Sequence, residues 1–214
     1  MMKSRFLLCS LLVFGLPASA NDAVGRLNLA GYKHREMCSA TLVAPDLALT
    51  AAHCVVLPQD GYLKRIGDMT FVAGWNGESH KGASKITQTY VHPRAFENGR
   101  FQLPFDIAFV ELAQALSPTP LEIGDAPGPF SLLGYRRSRP HRLNVQEACS
   151  GKSDQILRID CPVEPGQSGG PVLANGKILA VISAKSKDQT LAALVNDWVF
   201  AQLAQHRASS EQSD

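Results

Sequence analysis

Beyond its first twenty residues this sequence has no apolar run long enough to span a bilayer, so no later membrane helix is expected. It has no excess of charge either. The formal total is +2, and two of the cations, Lys3 and Arg5, lie in those first twenty residues. The rest of the chain is near neutral, and a nucleic-acid partner is not expected. Cysteine is sparse, with 5 in all, and no C-x-x-C pair is present, which leaves little support for a zinc site. No internal repeat is visible. The 45% hydrophobic content, on the other hand, argues for a globular chain and against disorder.

Residues 1–20 have the layout of a cleaved secretory signal: a basic start, an apolar run from Phe6 to Leu16, and Ala18-Ser19-Ala20 as the cleavage site. An exported chain, periplasmic or secreted, is expected, with no membrane attachment once the signal is gone. Cys9 leaves with the signal, and Cys38, Cys54, Cys149 and Cys161 remain. An even count in an exported protein favours disulfides. Three pairings are possible, and the local one, Cys38–Cys54 with Cys149–Cys161, is expected because it closes two short loops. Each bond contributes roughly 3 kcal/mol by restricting the unfolded chain.

Short β-type runs recur at Ser39–Ala44, Thr70–Ala73, Ile86–Val91, Ile107–Leu112, Phe130–Tyr135, Gln155–Asp160 and Ile178–Ala184, separated by Gly, Pro and Asn. This pattern predicts barrels or sandwiches rather than alternating helix and strand. The proline-rich stretch from Ser117 to Pro129 reads as a crossover between two halves, 21–115 and 116–190. Apolar residues at i, i+3, i+4 spacing predict one helix over 191–206, with Thr190 as its N-cap and 207–214 as a disordered polar tail. The basic cluster Arg136, Arg137, Arg139, His141 and Arg142 reads as a solvated loop, with substrate or surface binding as the alternative.

Three segments carry chemistry. Pro165-Gly166-Gln167-Ser168-Gly169-Gly170-Pro171 places a serine in a glycine-rich turn. A serine hydroxyl attacks a carbonyl only when a base removes its proton and nearby amides stabilise the oxyanion. A base is available at His53, in Thr50-Ala51-Ala52-His53-Cys54 after an apolar strand. An acid stands at Asp106, beside the apolar Ile107-Ala108-Phe109-Val110, where burial without a partner would be expensive.

These segments, in the order His, Asp, Ser, closely resemble the signature regions of the chymotrypsin–trypsin serine proteases, and the likeness runs from about Val24 to the final helix. The resemblance implies an all-β fold of two packed six-stranded Greek-key barrels with a C-terminal α-helix. It implies a serine endopeptidase acting through an acyl-enzyme, with protein or peptide substrates, no metal or organic cofactor, and a monomeric state. Ser168 is then the nucleophile, His53 the base and Asp106 its orienting acid. The amides of Gly166 and Ser168 form the oxyanion hole, and Ser183, Ala184 and Lys185 form the substrate-binding strand. Cys38 and Cys54 match the family's bridge across the histidine loop. The stretch from Cys149 to Cys161, with Gly134-Tyr135 and Arg139-Pro140, resembles the bacterial trypsin-like branch.

The sequence also departs from the family. Gln167 stands where the digestive enzymes carry an activating Asp, and the position of their pocket acid falls at Pro162, with Asp160 and Glu164 nearby as substitutes. Lys185 replaces a pocket glycine, and Val24-Gly25 faintly resembles the family's mature start. The competing reading is a catalytically silent binding protein on the same scaffold.

Overall fold

The computed structural model describes residues 18–30, 36–125 and 127–212. The expected signal segment lies outside the described residues up to residue 17. A short helix, α1 (Ala18–Ala23), leads into the first strand.

The first half consists of β1 (Val24–Asn28), β2 (Met37–Ala44), β3 (Leu47–Thr50), the one-turn helix α2 (Ala52–Val55), β4 (Thr70–Ala73), β5 (Gly82–Val91), a small hairpin of β6 (Phe96–Glu97) and β7 (Arg100–Phe101), and β8 (Ala108–Leu112). Six of these strands close into an antiparallel barrel in the order β1-β2-β3-β8-β5-β4. Leu27, Leu42, Leu47, Leu49, Phe71 and Phe109 fill it, each fully buried. Burial of each such side chain contributes about 2 kcal/mol. Val24 heads β1 opposite Thr41, and its carbonyl accepts from the Gly74 amide. The Val24-Gly25 pair is therefore a barrel strand and not a free amino-terminal arm.

The second half holds β9 (Phe130–Arg136), β10 (Arg139–Cys149), β11 (Gly151–Ser153), β12 (Leu157–Ile159), β13 (Pro171–Ala174), β14 (Lys177–Ser186) and β15 (Gln189–Leu194). Here the expectation of a second closed six-stranded barrel is wrong. The seven strands form an open sheet in the order β10-β9-β13-β14-β15-β12-β11. β10 and β11 are its two edges, and they are consecutive in sequence, joined at a corner where Ala148 takes a positive φ of 55°. β11 is only 3 residues long, and β10 is mostly exposed with two register breaks. A disulfide, Cys149–Cys161, and the Asp160 amide on the Ser150 carbonyl hold the corner in place of a closing ladder.

The C-terminal helix α3 spans Asp197–Glu211, starting later than periodicity predicts. Residues 191–194 belong to β15, paired to β14, because a short apolar run serves a buried strand as well as a helix. The N-cap is Asn196, not Thr190. The Asn196 side chain accepts from the Trp198 and Val199 amides, while Thr190 Oγ1 donates to the Cys161 carbonyl. Residues 207–211, expected to be disordered, continue the helix, which the His206–Asp46 contact (2.8 Å) ties to the first barrel. No helix among the described residues is long and apolar enough to cross a membrane.

Candidate active site

β3 ends in α2, so the fully buried run Leu47–Thr50 delivers His53 to the edge of the barrel. Cys54 is bonded to Cys38 on β2, which ties the turn to the neighbouring strand. The other half of the pair comes from the segment before β8. The 3-10 turn Leu103–Phe105 places Asp106 under α2 with only 2% of its surface exposed. Its carboxylate takes the His53 backbone amide on Oδ1 at 2.8 Å and His53 Nδ1 on Oδ2 at 2.6 Å. The burial that the sequence made expensive is thus offset by charge-assisted hydrogen bonds. With Nδ1 on the carboxylate, Nε2 is the imidazole nitrogen left for a reacting group, its hydrogen-bond-type contact being a long one to the Cys54 sulfur at 3.9 Å.

Ser183, on β14 of the second sheet, donates from Oγ to the same Asp106 Oδ2. His53, Asp106 and Ser183 form one connected His-Asp-Ser triad that bridges the two halves. Ala184 follows it into a groove of 920 Å³ beside His53, walled by Leu57, Leu63, Phe101 and Leu103. Lys185 is exposed at the end of that strand.

The loop Pro165–Gly170 carries Ser168, half-buried, between β12 and β13. Among the described residues no acceptor is hydrogen-bonded to the amides of Gly166 or Ser168. By contrast, those of Gln167, Gly169 and Gly170 donate to the carbonyls of Glu164, Ile182 and Gln167. No side-chain hydrogen bond joins Ser168 to His53 among the described residues. Gly169 has a φ of +82°, and a Cβ there would lie 2.2 Å from the Ser39 carbonyl and from Thr50 Oγ1, so only glycine fits.

One residue that carries no motif in the sequence organises this loop. Ser39, fully buried on β2, donates its amide to the Ser168 carbonyl (2.7 Å) and its Oγ to the Gly166 carbonyl (2.9 Å). The same Oγ accepts from the Tyr135 amide (2.7 Å), and the Ser39 carbonyl accepts from Thr50 Oγ1 (2.8 Å). A lone serine inside a β-type run gives no signal except its adjacency to Cys38.

The acids offered as pocket substitutes are already engaged. Glu164 pairs with Arg136 (3.0 Å) and accepts from Ser138 Oγ, and Asp160 accepts from Gln189 (2.8 Å). Gln167 Oε1 accepts from the Glu164 amide, while its buried Nε2 has no partner. Cys38, His53 and Cys54 are the one cluster among the described residues with metal-ligand spacing, and its two sulfurs are joined in a disulfide, not held as thiolates.

A sequence model of the trypsin-like peptidase domain matches residues 38–181, which include all three catalytic-type segments. A trypsin of Saccharopolyspora erythraea is 24% identical over 80% of this chain and 86% of its own length. A peptidase of Corynebacterium glutamicum is 25% identical over 78% of this chain, which spans only 58% of that relative. A solved Glu endopeptidase superposes with a TM-score of 0.72 at 18% identity, covering 88% of this chain and 91% of that one, which shows the shared fold. With its buried acid–imidazole pair and the domain match over most of its length, the chain belongs to the trypsin-like peptidase family.

Proposed function

We propose that this protein is an exported serine endopeptidase in which Ser168 is the nucleophile, His53 the general base and Asp106 the orienting acid. The observation that carries the reading is the His53–Asp106 unit, buried on the acid side with Nε2 left to act. Ser183 is hydrogen-bonded to the carboxylate and not to the imidazole, so its hydroxyl stands on the wrong side of the base to be deprotonated by it. Ser168 lies instead in the loop whose Gly166 and Ser168 amides have no protein acceptor among the described residues, the donors an oxyanion needs. Attack by Ser168 Oγ on the scissile carbonyl passes its proton to His53, which returns it to the departing amine. The acyl-enzyme is then hydrolysed by water along the same route. Export is supported by the signal-like first twenty residues and by two disulfides.

The test is labelling with a serine-directed fluorophosphonate, followed by mass mapping of the adduct, alongside cleavage of a mixed peptide library. The reading expects the adduct on Ser168, cleavage abolished in Ser168→Ala, and labelling retained in Ser183→Ala. An adduct on Ser183 would reassign the nucleophile. A folded protein that neither labels nor cleaves would be the silent scaffold.

A further inference from the structure

We propose that the tip of the β9–β10 hairpin is a docking site for an acidic segment of the substrate flanking the scissile bond. This rests on the endopeptidase reading above and adds a substrate class to it. The tip is joined directly to the loop of the nucleophile. The Arg137 amide donates to the Pro165 carbonyl at 2.7 Å, and a Cβ on Gly166 would lie 2.7 Å from the Tyr135 carbonyl and 2.9 Å from the Arg137 nitrogen.

The hairpin's own charge is of one sign, with the exposed Glu78 in the neighbouring turn whose Gly77 lies close to His141. From Tyr135 to Gln146 the sequence holds Arg136, Arg137, Arg139 and Arg142 and no acid. Glu164 neutralises Arg136, while Arg137, Arg139 and Arg142 are exposed and take part in no ion pair among the described residues. A further cation lies beneath them. Arg26 on β1 donates to the Pro140 carbonyl at 3.2 Å, has a buried Nε without a partner, and is not matched by any acid among the described residues. Burial pushes its guanidinium below the ordinary value.

Shape complements charge. Arg139, Pro140, His141 and Arg142 line a shallow, open hollow of 230 Å³, and Trp75 Nε1 donates to His141 Nδ1 at 2.8 Å. A carboxylate side chain from a bound polypeptide suits that hollow, with arginine forks on either side of it. Three of these arginines stand on the hairpin whose backbone is bonded to the serine loop, and Arg26 reaches the same hairpin at Pro140.

The test uses fluorogenic peptides that share one cleavage sequence and carry either three Asp or three Asn residues, placed on one side of the bond or the other. With the full-length protein at low salt, the ratio of kcat/KM for the Asp peptide over the Asn peptide is expected to be about three- to tenfold in one placement. It is expected to collapse toward one in Arg139→Gln/Arg142→Gln and at high salt. An Asp preference that survives the double substitution overturns the proposal, as does a preference confined to the residue whose carbonyl is attacked. Loss of binding to anionic vesicles with no change in the ratio would make the tip a surface anchor and also overturns it. Equal cleavage of both peptides by an enzyme that labels at Ser168 removes the docking site alone. Failure to label and to cleave either peptide removes the endopeptidase reading beneath it.

Discussion

Replacing Asp106 by Asn changes one atom and tests the whole arrangement. Three donors converge on this carboxylate: the His53 amide, His53 Nδ1 and Ser183 Oγ. An amide offers one acceptor oxygen, and its NH2 group must face at least one of those donors. Where that group meets Nδ1, the imidazole has to carry its proton on Nε2, and it can no longer accept the proton of Ser168. A wrong tautomer of this kind lowers kcat by about 10⁴-fold, or about 5.4 kcal/mol at 1.36 kcal/mol per decade. Stability should fall much less, by about 1.5–3 kcal/mol, the worth of one hydrogen bond to a charged group. The assay is kcat/KM on a peptide substrate with fluorophosphonate labelling rates, and a thermal melt to confirm folding. A folded Asp106→Asn protein that retains kcat/KM within about tenfold of wild type would refute the role given to the pair.

The same kind of contact sets three further expectations. Ser39→Ala removes a hydroxyl that links the Gly166 carbonyl to the Tyr135 amide, so it is expected to lower stability by about 1–3 kcal/mol. It should also slow labelling at Ser168, whereas Ser39→Thr should recover part of both. His92 is buried between Phe105 and Trp198 with Nδ1 accepting the Arg94 amide, and burial, with the Arg94 charge, depresses its pKa despite Glu97. Its contribution is complete above the unfolded value of 6.5 and is lost as pH falls below it, so His92→Phe should show a smaller drop in Tm on acidification. Burial and the hydrogen bond to Glu111 push the Tyr90 hydroxyl up to about 12 from 10.0. Its contribution is therefore present below pH 10 and lost on the way to about pH 12, and Tyr90→Phe should flatten the alkaline melt.

Much of the architecture was legible because local patterns carried it. Thr70–Ala73 is a strand with the bounds its β-type residues predict, and the cost of burying Asp106 beside an apolar run correctly demanded a partner. Cysteines close in sequence joined each other. Closure of the second sheet was not legible, since it depends on whether two edge strands meet in space, and β10 turns its corner into β11 before it can pair elsewhere. Periodicity starts α3 too early because Leu191–Leu194 suits either element until β14 claims it. Ser39 carries no sequence signal for a related reason. The partners of its hydroxyl lie 96 and 127 residues away, and no nearby residue announces them.

The placement of Ser39 bears on when this protein becomes able to cut. His53 and Asp106 are complete within the amino-terminal barrel, but the serine loop and Ser183 belong to the other half, and the two meet across Ser39 and the Asp106 carboxylate. Neither half holds a working centre by itself. A chain in which only the amino-terminal barrel has formed therefore holds the imidazole and its acid without the serine loop. The seam between the halves is thus where the site is assembled, and a substitution there reaches the chemistry without touching a reacting atom.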